Sequence, residues 1–316
     1  MTRRRTPLRP LTAALAGLLL LAGCASSTGS DDLDPLPTTE ASSDGTSTTA
    51  PDPPECDPVA SYAATTTAGP SVQAIRDRGA LVVAVSADTN LMGSRNPITG
   101  QIEGFDIDMA NYVAEAIFGE PGHVQLRVIT SAQRVSVLTD HEVDLVARAF
   151  TMNCARWEQI AFSAEYYHAG QKVLVATDSQ ATGLDTLPAG TRVCAPAGTT
   201  TIAQLERDYP DVEPVPADTH TGCLALFQQG RVDAITGDDT ILAGLATQDP
   251  YAKVVGEATS DEPYGLGVAK DRTDLAAYVN GVLEQVKADG RWAASYDRWL
   301  SVLGPAPAPP RAVYGR

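Results

Sequence analysis

The chain has 316 residues, with 39 Asp and Glu against 23 Lys and Arg, a formal charge of −16. That balance excludes a nucleic-acid binder, whose phosphate contacts need a basic face. It also repels free anions at long range, so any anion site must rest on a few focused cations.

The first element is a leader over residues 1–23: Arg3, Arg4, Arg5 and Arg9, then an apolar run from Leu11 to Leu21. A basic stretch, an apolar core and small residues before a cut define a secretory signal. The run falls short of the ~20 apolar residues that a comfortable membrane span needs. Leu21-Ala22-Gly23-Cys24 resembles a bacterial lipobox. The resemblance implies that Cys24 becomes the first mature residue and carries lipid, leaving an extracytoplasmic protein anchored to the cell membrane. Residues 24–70 then read as the lipidated cysteine and a tether. Its first part, 25–58, is rich in Ser, Thr, Asp, Pro and Gly and has too few large apolar side chains to offset ordering entropy.

Strand and helix signals alternate from there. Leu81–Val85 reads as a buried strand, and Phe105–Phe118 as a helix with Ile107, Met109, Ala110, Val113, Ala114 and Ile117 at helical spacing. Strands are expected at Val124–Ile129, Asp144–Ala147, Lys172–Ala176, Arg192–Ala195 and Val232–Ile235. Helices are expected at Arg134–Leu138, from Thr199–Thr201 onward, and at Leu224–Gln229, Ala276–Lys287 and Trp292–Leu300. This alternation predicts an α/β fold with mostly parallel sheets flanked by helices, in two lobes. The Pro/Ala-rich tail 304–316 reads as loose.

Four cysteines follow Cys24, and an even number outside the cytoplasm points to two disulfides. Cys194 and Cys223 fall in one half of the alternation, so that pair is favoured, with Cys56–Cys154 as the other. His123, His141, His168 and His220 are scattered, without metal-ligand spacing. No metal or other cofactor is expected.

Several segments resemble one family in register. Glu103-Gly104-Phe105-Asp106-Ile107-Asp108 is followed by Val143–Ala147, Phe150-Thr151-Met152, Arg156 and Ile160–Tyr167. Then come Gly198-Thr199-Thr200, Val232–Asp239 and Pro263-Tyr264-Gly265-Leu266. Together, over residues ~75–301, they resemble the polar amino-acid solute-binding proteins of ABC importers, bacterial extracellular solute-binding protein family 3. The resemblance implies a two-lobed periplasmic-binding-protein-like fold with two hinge crossovers, near Tyr166–Gly170 and Asp261–Tyr264. Lobe 1 would comprise 71–168 plus 264–303, and lobe 2 would comprise 169–263.

Site residues follow from the same match. Arg156 stands at the position of the arginine that grips a ligand α-carboxylate, which a guanidinium fork holds with two parallel hydrogen bonds. Thr151, five residues earlier, would contact the same head group. Gly198, Thr199 and Thr200 open a helix whose free N–H groups favour an anion, or Thr199 simply caps it. Asp238 matches the carboxylate that takes an α-ammonium, with Asp239 as the competing candidate for the helix cap. Arg148 would neutralise a side-chain carboxylate or pair with a protein acid. Arg134 would reach the cleft or brace lobe 1. The chain departs from the pattern in lacking an aromatic over Ser86–Leu91 and in carrying Pro196 where a lysine is common.

The reading is an amino-acid-binding lipoprotein, a monomer, taking glutamate or aspartate first and glutamine or asparagine next. It would deliver ligand to an ABC permease. The alternatives are a membrane sensor using the same site, and a lyase or dehydratase on the same fold with Glu165 as its acid or base.

Overall fold

The computed structural model describes residues 56–316. The leader 1–23, Cys24 with its expected lipid, and the tether up to residue 55 lie outside the described residues.

Lobe 1 is built on the apolar run Leu81–Val85, which lies inside a five-stranded sheet. Val124–Val128 flanks it on one side and Leu145–Ala147 on the other, both parallel to it, and Val83 faces Leu126 and Leu145. Gly267–Ala269 and Ile160–Phe162 complete the sheet in the antiparallel sense. Helix Phe105–Phe118 lays Phe105, Met109, Val113 and Ile117 into this core. Its start needs a glycine. Gly104 has φ +143°, and a Cβ there would stand 2.3 Å from the Met92 carbonyl oxygen.

Lobe 2 has the strand order Glu213–Ala217, Arg192–Pro196, Ala234–Asp238, Tyr167–Ala176, Ala252–Val255. Its two faces follow the period-2 alternation of strand side chains. Val173, Val175, Val193 and Ala195 meet Ile202 and Leu205 on one side. Leu174, Cys194 and Ile235 meet Leu224 and Leu242 on the other.

Parallel pairing holds where strand, helix and strand follow one another. In these two sheets every antiparallel pair involves Tyr167–Ala176 or Gly267–Ala269, the strands that flank the lobe crossings. Tyr167–Ala176 leads out, and Asp261–Tyr264 returns beside its first residues, with Tyr264 opposite Tyr167 and Asp261 opposite Gly170. Both sheets are therefore mixed rather than mostly parallel.

Both ends of the described region are more ordered than composition predicts. Ala60–Ser61 pairs in parallel with Val313–Tyr314. Ser61 is buried and donates to the Phe162 carbonyl at 2.9 Å, while Asn280 reaches both Ser61 and the Tyr62 carbonyl. The Arg316 guanidinium lies 3.9 Å from the Trp157 ring centroid. The body thus begins before residue 70, and the tail 304–316 is not loose along its whole length. These are single long-range contacts with no local pattern to announce them.

Two disulfides form, Cys194–Cys223 within lobe 2 and Cys56–Cys154 at the edge of lobe 1, the pairing the sequence favours. The second spans 98 residues of chain. Replacing both Cys56 and Cys154 by Ser is expected to lower unfolding stability by ~2–4 kcal/mol, from loop entropy restored to the unfolded chain. A urea midpoint equal to that of the oxidised protein would show that the crosslink holds nothing.

Candidate functional site

The lobes meet around a small cavity of about 10 Å³ lined from both sides. Lobe 1 contributes Ser86, Thr89, Asp106, Ser131, Arg134, Arg148, Ala149 and Thr151, and lobe 2 contributes Thr199, Thr200, Thr201, His220, Asp238 and Ile241. That volume accommodates about one water molecule, so anything larger must part the lobes.

Three arginines of lobe 1 converge here, each buried. Arg156 stands in the one-turn helix Cys154–Trp157, whose start is capped by Asn153 accepting from the Arg156 N–H at 2.9 Å. Its guanidinium borders the cavity from behind Thr151 rather than lining it. It donates to the Thr151 carbonyl at 2.5 Å and to the Gly198 carbonyl of lobe 2 at 3.4 Å. Burial lowers its pKa to about 10, with Glu262 and Asp238 acting in the opposite sense.

Arg134 spends its donors on carbonyls: Ser131 at 2.9 Å, Ala149 at 2.9 Å, Arg148 at 3.3 Å and, across the cleft, Gly198 at 3.0 Å. It both braces lobe 1 and faces the cavity. Phe150 lies under both cations, 4.6 Å from Arg134 and 4.9 Å from Arg156. Gly198 supplies a carbonyl and a close approach rather than a wall of the cavity. Its φ is +75°, and a Cβ would stand 2.7 Å from the Ala132 Cα.

Arg148 donates to the Ile129 carbonyl at 2.9 Å and to Ser131 Oγ at 2.5 Å, and its Nη2 is buried without a partner. Asp88 and Asp106 act on it through space, yet no acid among the described residues makes an ion pair with it. Asp106 is spoken for. It accepts from Tyr166 Oη at 2.5 Å and from the Ala149 N–H at 2.8 Å, which fixes Ala149 at φ +39° beside the site. Burial still pushes Asp106 up to about 6.

On the facing lobe, Asp238 does not cap the helix that follows it. Asp239 instead accepts from the neighbouring Thr240 N–H. Asp238 Oδ2 accepts from Tyr264 Oη at 2.5 Å, while Oδ1 is buried and unpartnered. Burial, and then the nearby Glu262 charge, push Asp238 up to about 8. Thr199 caps its helix, accepting from the Ile202 N–H at 3.2 Å.

Two residues of this region escape sequence reasoning. His220 opens the helix His220–Gln228 and is buried beside Arg148. Burial, then Arg148, lower its pKa to about 3, so the ring is neutral, and its Nδ1 has no partner. Glu262, on the returning hinge strand, is buried and accepts from Thr151 and Thr200. Glu165, the sequence-stated enzyme candidate, lies outside this cavity. It bonds His168 in an outer groove shared with Trp292 and Pro310. Among the described residues no group of three His, Cys, Asp or Glu could hold a metal ion.

Two lobes joined by two paired strands thus enclose a cavity with buried arginines on one side and a buried carboxylate on the other. Residues 81–302 match the bacterial extracellular solute-binding proteins, family 3, and the chain belongs to that family. It is similar to the ABC transporter glutamine-binding protein GlnH of Bacillus subtilis, 32% identical over 230 residues, which cover 73% of this chain and 84% of that one. It is equally similar, 32% over 244 residues, to the glutamate-binding protein GluB of Corynebacterium efficiens, covering 74% of this chain and 81% of the other. Among solved structures it resembles an ancestral amino acid-binding protein described as a precursor of cyclohexadienyl dehydratase. That match has a TM-score of 0.67 and 26% identity, covering 72% of this chain and 99% of the other.

Proposed function

We propose that this family 3 member captures an acidic amino acid outside the membrane and hands it to an ABC importer. The observation that carries the reading is one closed crevice holding both an unpaired cationic donor, Arg148 Nη2, and an unpaired carboxylate oxygen, Asp238 Oδ1. Each buried polar atom without a partner costs free energy, which a complementary ligand would recover. The α-carboxylate goes to Arg156, Thr151 and the helix start at Thr199 and Thr200. The α-ammonium goes to Asp238. The side-chain carboxylate goes to Arg148 Nη2, with neutral His220 as a second polar partner. Glutamate or aspartate comes first, and glutamine or asparagine second. Entry requires the lobes to part at Tyr167–Ala176 and Asp261–Tyr264 and close again.

Calorimetric titration with these four amino acids tests the reading. Glutamate or aspartate is expected to bind most tightly, and no heat with any of them would sink it. Arg148→Ala is expected to cost ~1.5–3 kcal/mol of glutamate affinity, the scale of a hydrogen bond to a charged group, and less of glutamine affinity. Equal losses would remove Arg148 from side-chain recognition.

The anchored state belongs to the same proposal. Fatty-acid labelling that persists in Cys24→Ala would count against lipidation at Cys24. The molecule acts as a monomer and as a binder rather than a catalyst. A cleft enzyme is the second reading, favoured by Asp238, whose raised pKa suits a general acid or base. Chemical change of a bound amino acid, followed by NMR, would decide for it.

A further inference from the structure

Glu262 occupies an unusual place for an acid. It stands on the returning hinge strand Asp261–Tyr264, is 3% exposed, and points its carboxylate at the junction of the two lobes. Its Oε2 accepts from Thr151 Oγ1 at 2.7 Å and from Thr200 Oγ1 at 2.6 Å, one hydroxyl from each lobe, while Ser260 Oγ holds its Oε1 at 2.8 Å. The Arg156 guanidinium feels the same charge.

A carboxylate only accepts, and a threonine hydroxyl has a single proton to donate. While Glu262 takes both protons, neither Thr151 nor Thr200 can donate to another anion. We propose that Glu262 is a built-in competitor for the α-carboxylate subsite, a tethered anion that engages the Thr151 and Thr200 hydroxyls in the ligand's place and draws the two lobes together. This rests on the reading of the site as an amino-acid clamp. An incoming α-carboxylate must displace Glu262 from the threonines and then share Arg156 with it. The apparent affinity is lowered by the fraction of molecules in which Glu262 holds the site. The same charge also helps to keep Asp238 protonated, which weakens the ammonium subsite as well.

The test is the affinity of Glu262→Gln for glutamate and for glutamine. Gln keeps the shape but replaces a charged acceptor with a neutral one, whose hydrogen bonds are about half as strong. Affinity is expected to rise about tenfold if Glu262 holds the site nine-tenths of the time. The factor is expected to be the same for both ligands, because they share the α-carboxylate. Ser260→Ala, which frees Oε1, is expected to shift affinity the same way by a smaller factor, with an unchanged melting midpoint confirming the fold. Interlobe distances by paired fluorophores, without amino acid, are expected to spread in Glu262→Gln. Unchanged or weaker binding in Glu262→Gln overturns the proposal. Tightening confined to glutamate also overturns it, since that outcome reports side-chain charge repulsion. A wild-type protein that binds none of the four amino acids removes the clamp reading itself, and a wild type that binds isolates the result to Glu262.

Discussion

Arg156→Ala is expected to weaken amino-acid binding by ~2–5 kcal/mol, the cost of leaving a desolvated carboxylate without its partner. The residue is 9% exposed, so an ion pair made with it would be largely desolvated. The loss should be similar for glutamate and glutamine, since both present the same α-carboxylate. Arg156→Lys is expected to recover only part of it, because an ammonium cannot reproduce two parallel donors. The variant also loses the bonds to the Thr151 and Gly198 carbonyls, so a melting midpoint must accompany the calorimetry. A folded Arg156→Ala with wild-type affinity would place the α-carboxylate elsewhere.

Asp238→Asn is expected to cost ~1.5–3 kcal/mol of affinity by replacing a charged acceptor for the ammonium with a neutral one, and to change how binding depends on pH. In the wild type, burial and Glu262 raise Asp238 to about 8. A ligand ammonium favours the ionised form, so binding expels a proton. Affinity should therefore rise as pH increases from 6 toward 8 and level off above it. Titrations in phosphate and in Tris should give different apparent heats, and the difference should vanish in Asp238→Asn. Folding runs the other way. Between the ordinary value of 3.8 and the raised value of about 8, the folded protein holds a proton the unfolded chain has lost. This residue's stabilising contribution is thus full below pH ~4 and fades as pH climbs through the raised value. Buffer-independent heats would show that Asp238 is already ionised or takes no part.

Much of this was legible in the chain itself. Leu81–Val85 and the 3.6-residue pattern of Phe105–Phe118 announce their elements because burial there is periodic. Asp238 reaches the cavity as the last residue of the strand Ala234–Asp238, and Thr151 reaches it from the loop that follows the strand Leu145–Ala147. What stayed hidden depends on contacts between distant residues. His220 becomes part of the cavity only because its helix start packs beside Arg148. Glu262 becomes an acceptor for Thr151, 111 residues away in sequence, only because the returning hinge strand aims it there. The pairing of Ala60–Ser61 with Val313–Tyr314 joins two short stretches from opposite ends of the described region, neither with an alternating pattern to mark it.

The crosslink between Cys56 and Cys154 has a mechanical side. Cys56 is the first described residue, and its sulfur is bonded to the turn that also bears Arg156 and Trp157. The disulfide ties Cys56 to lobe 1 at the point where the described region begins, backed by Trp157 Nε1 donating to the Pro58 carbonyl at 2.7 Å. Neither Cys56 nor Cys154 lies on Tyr167–Ala176 or Asp261–Tyr264. Under the proposed anchoring at Cys24, a pull arriving at Cys56 would fall on lobe 1 and not on the two strands that join the lobes.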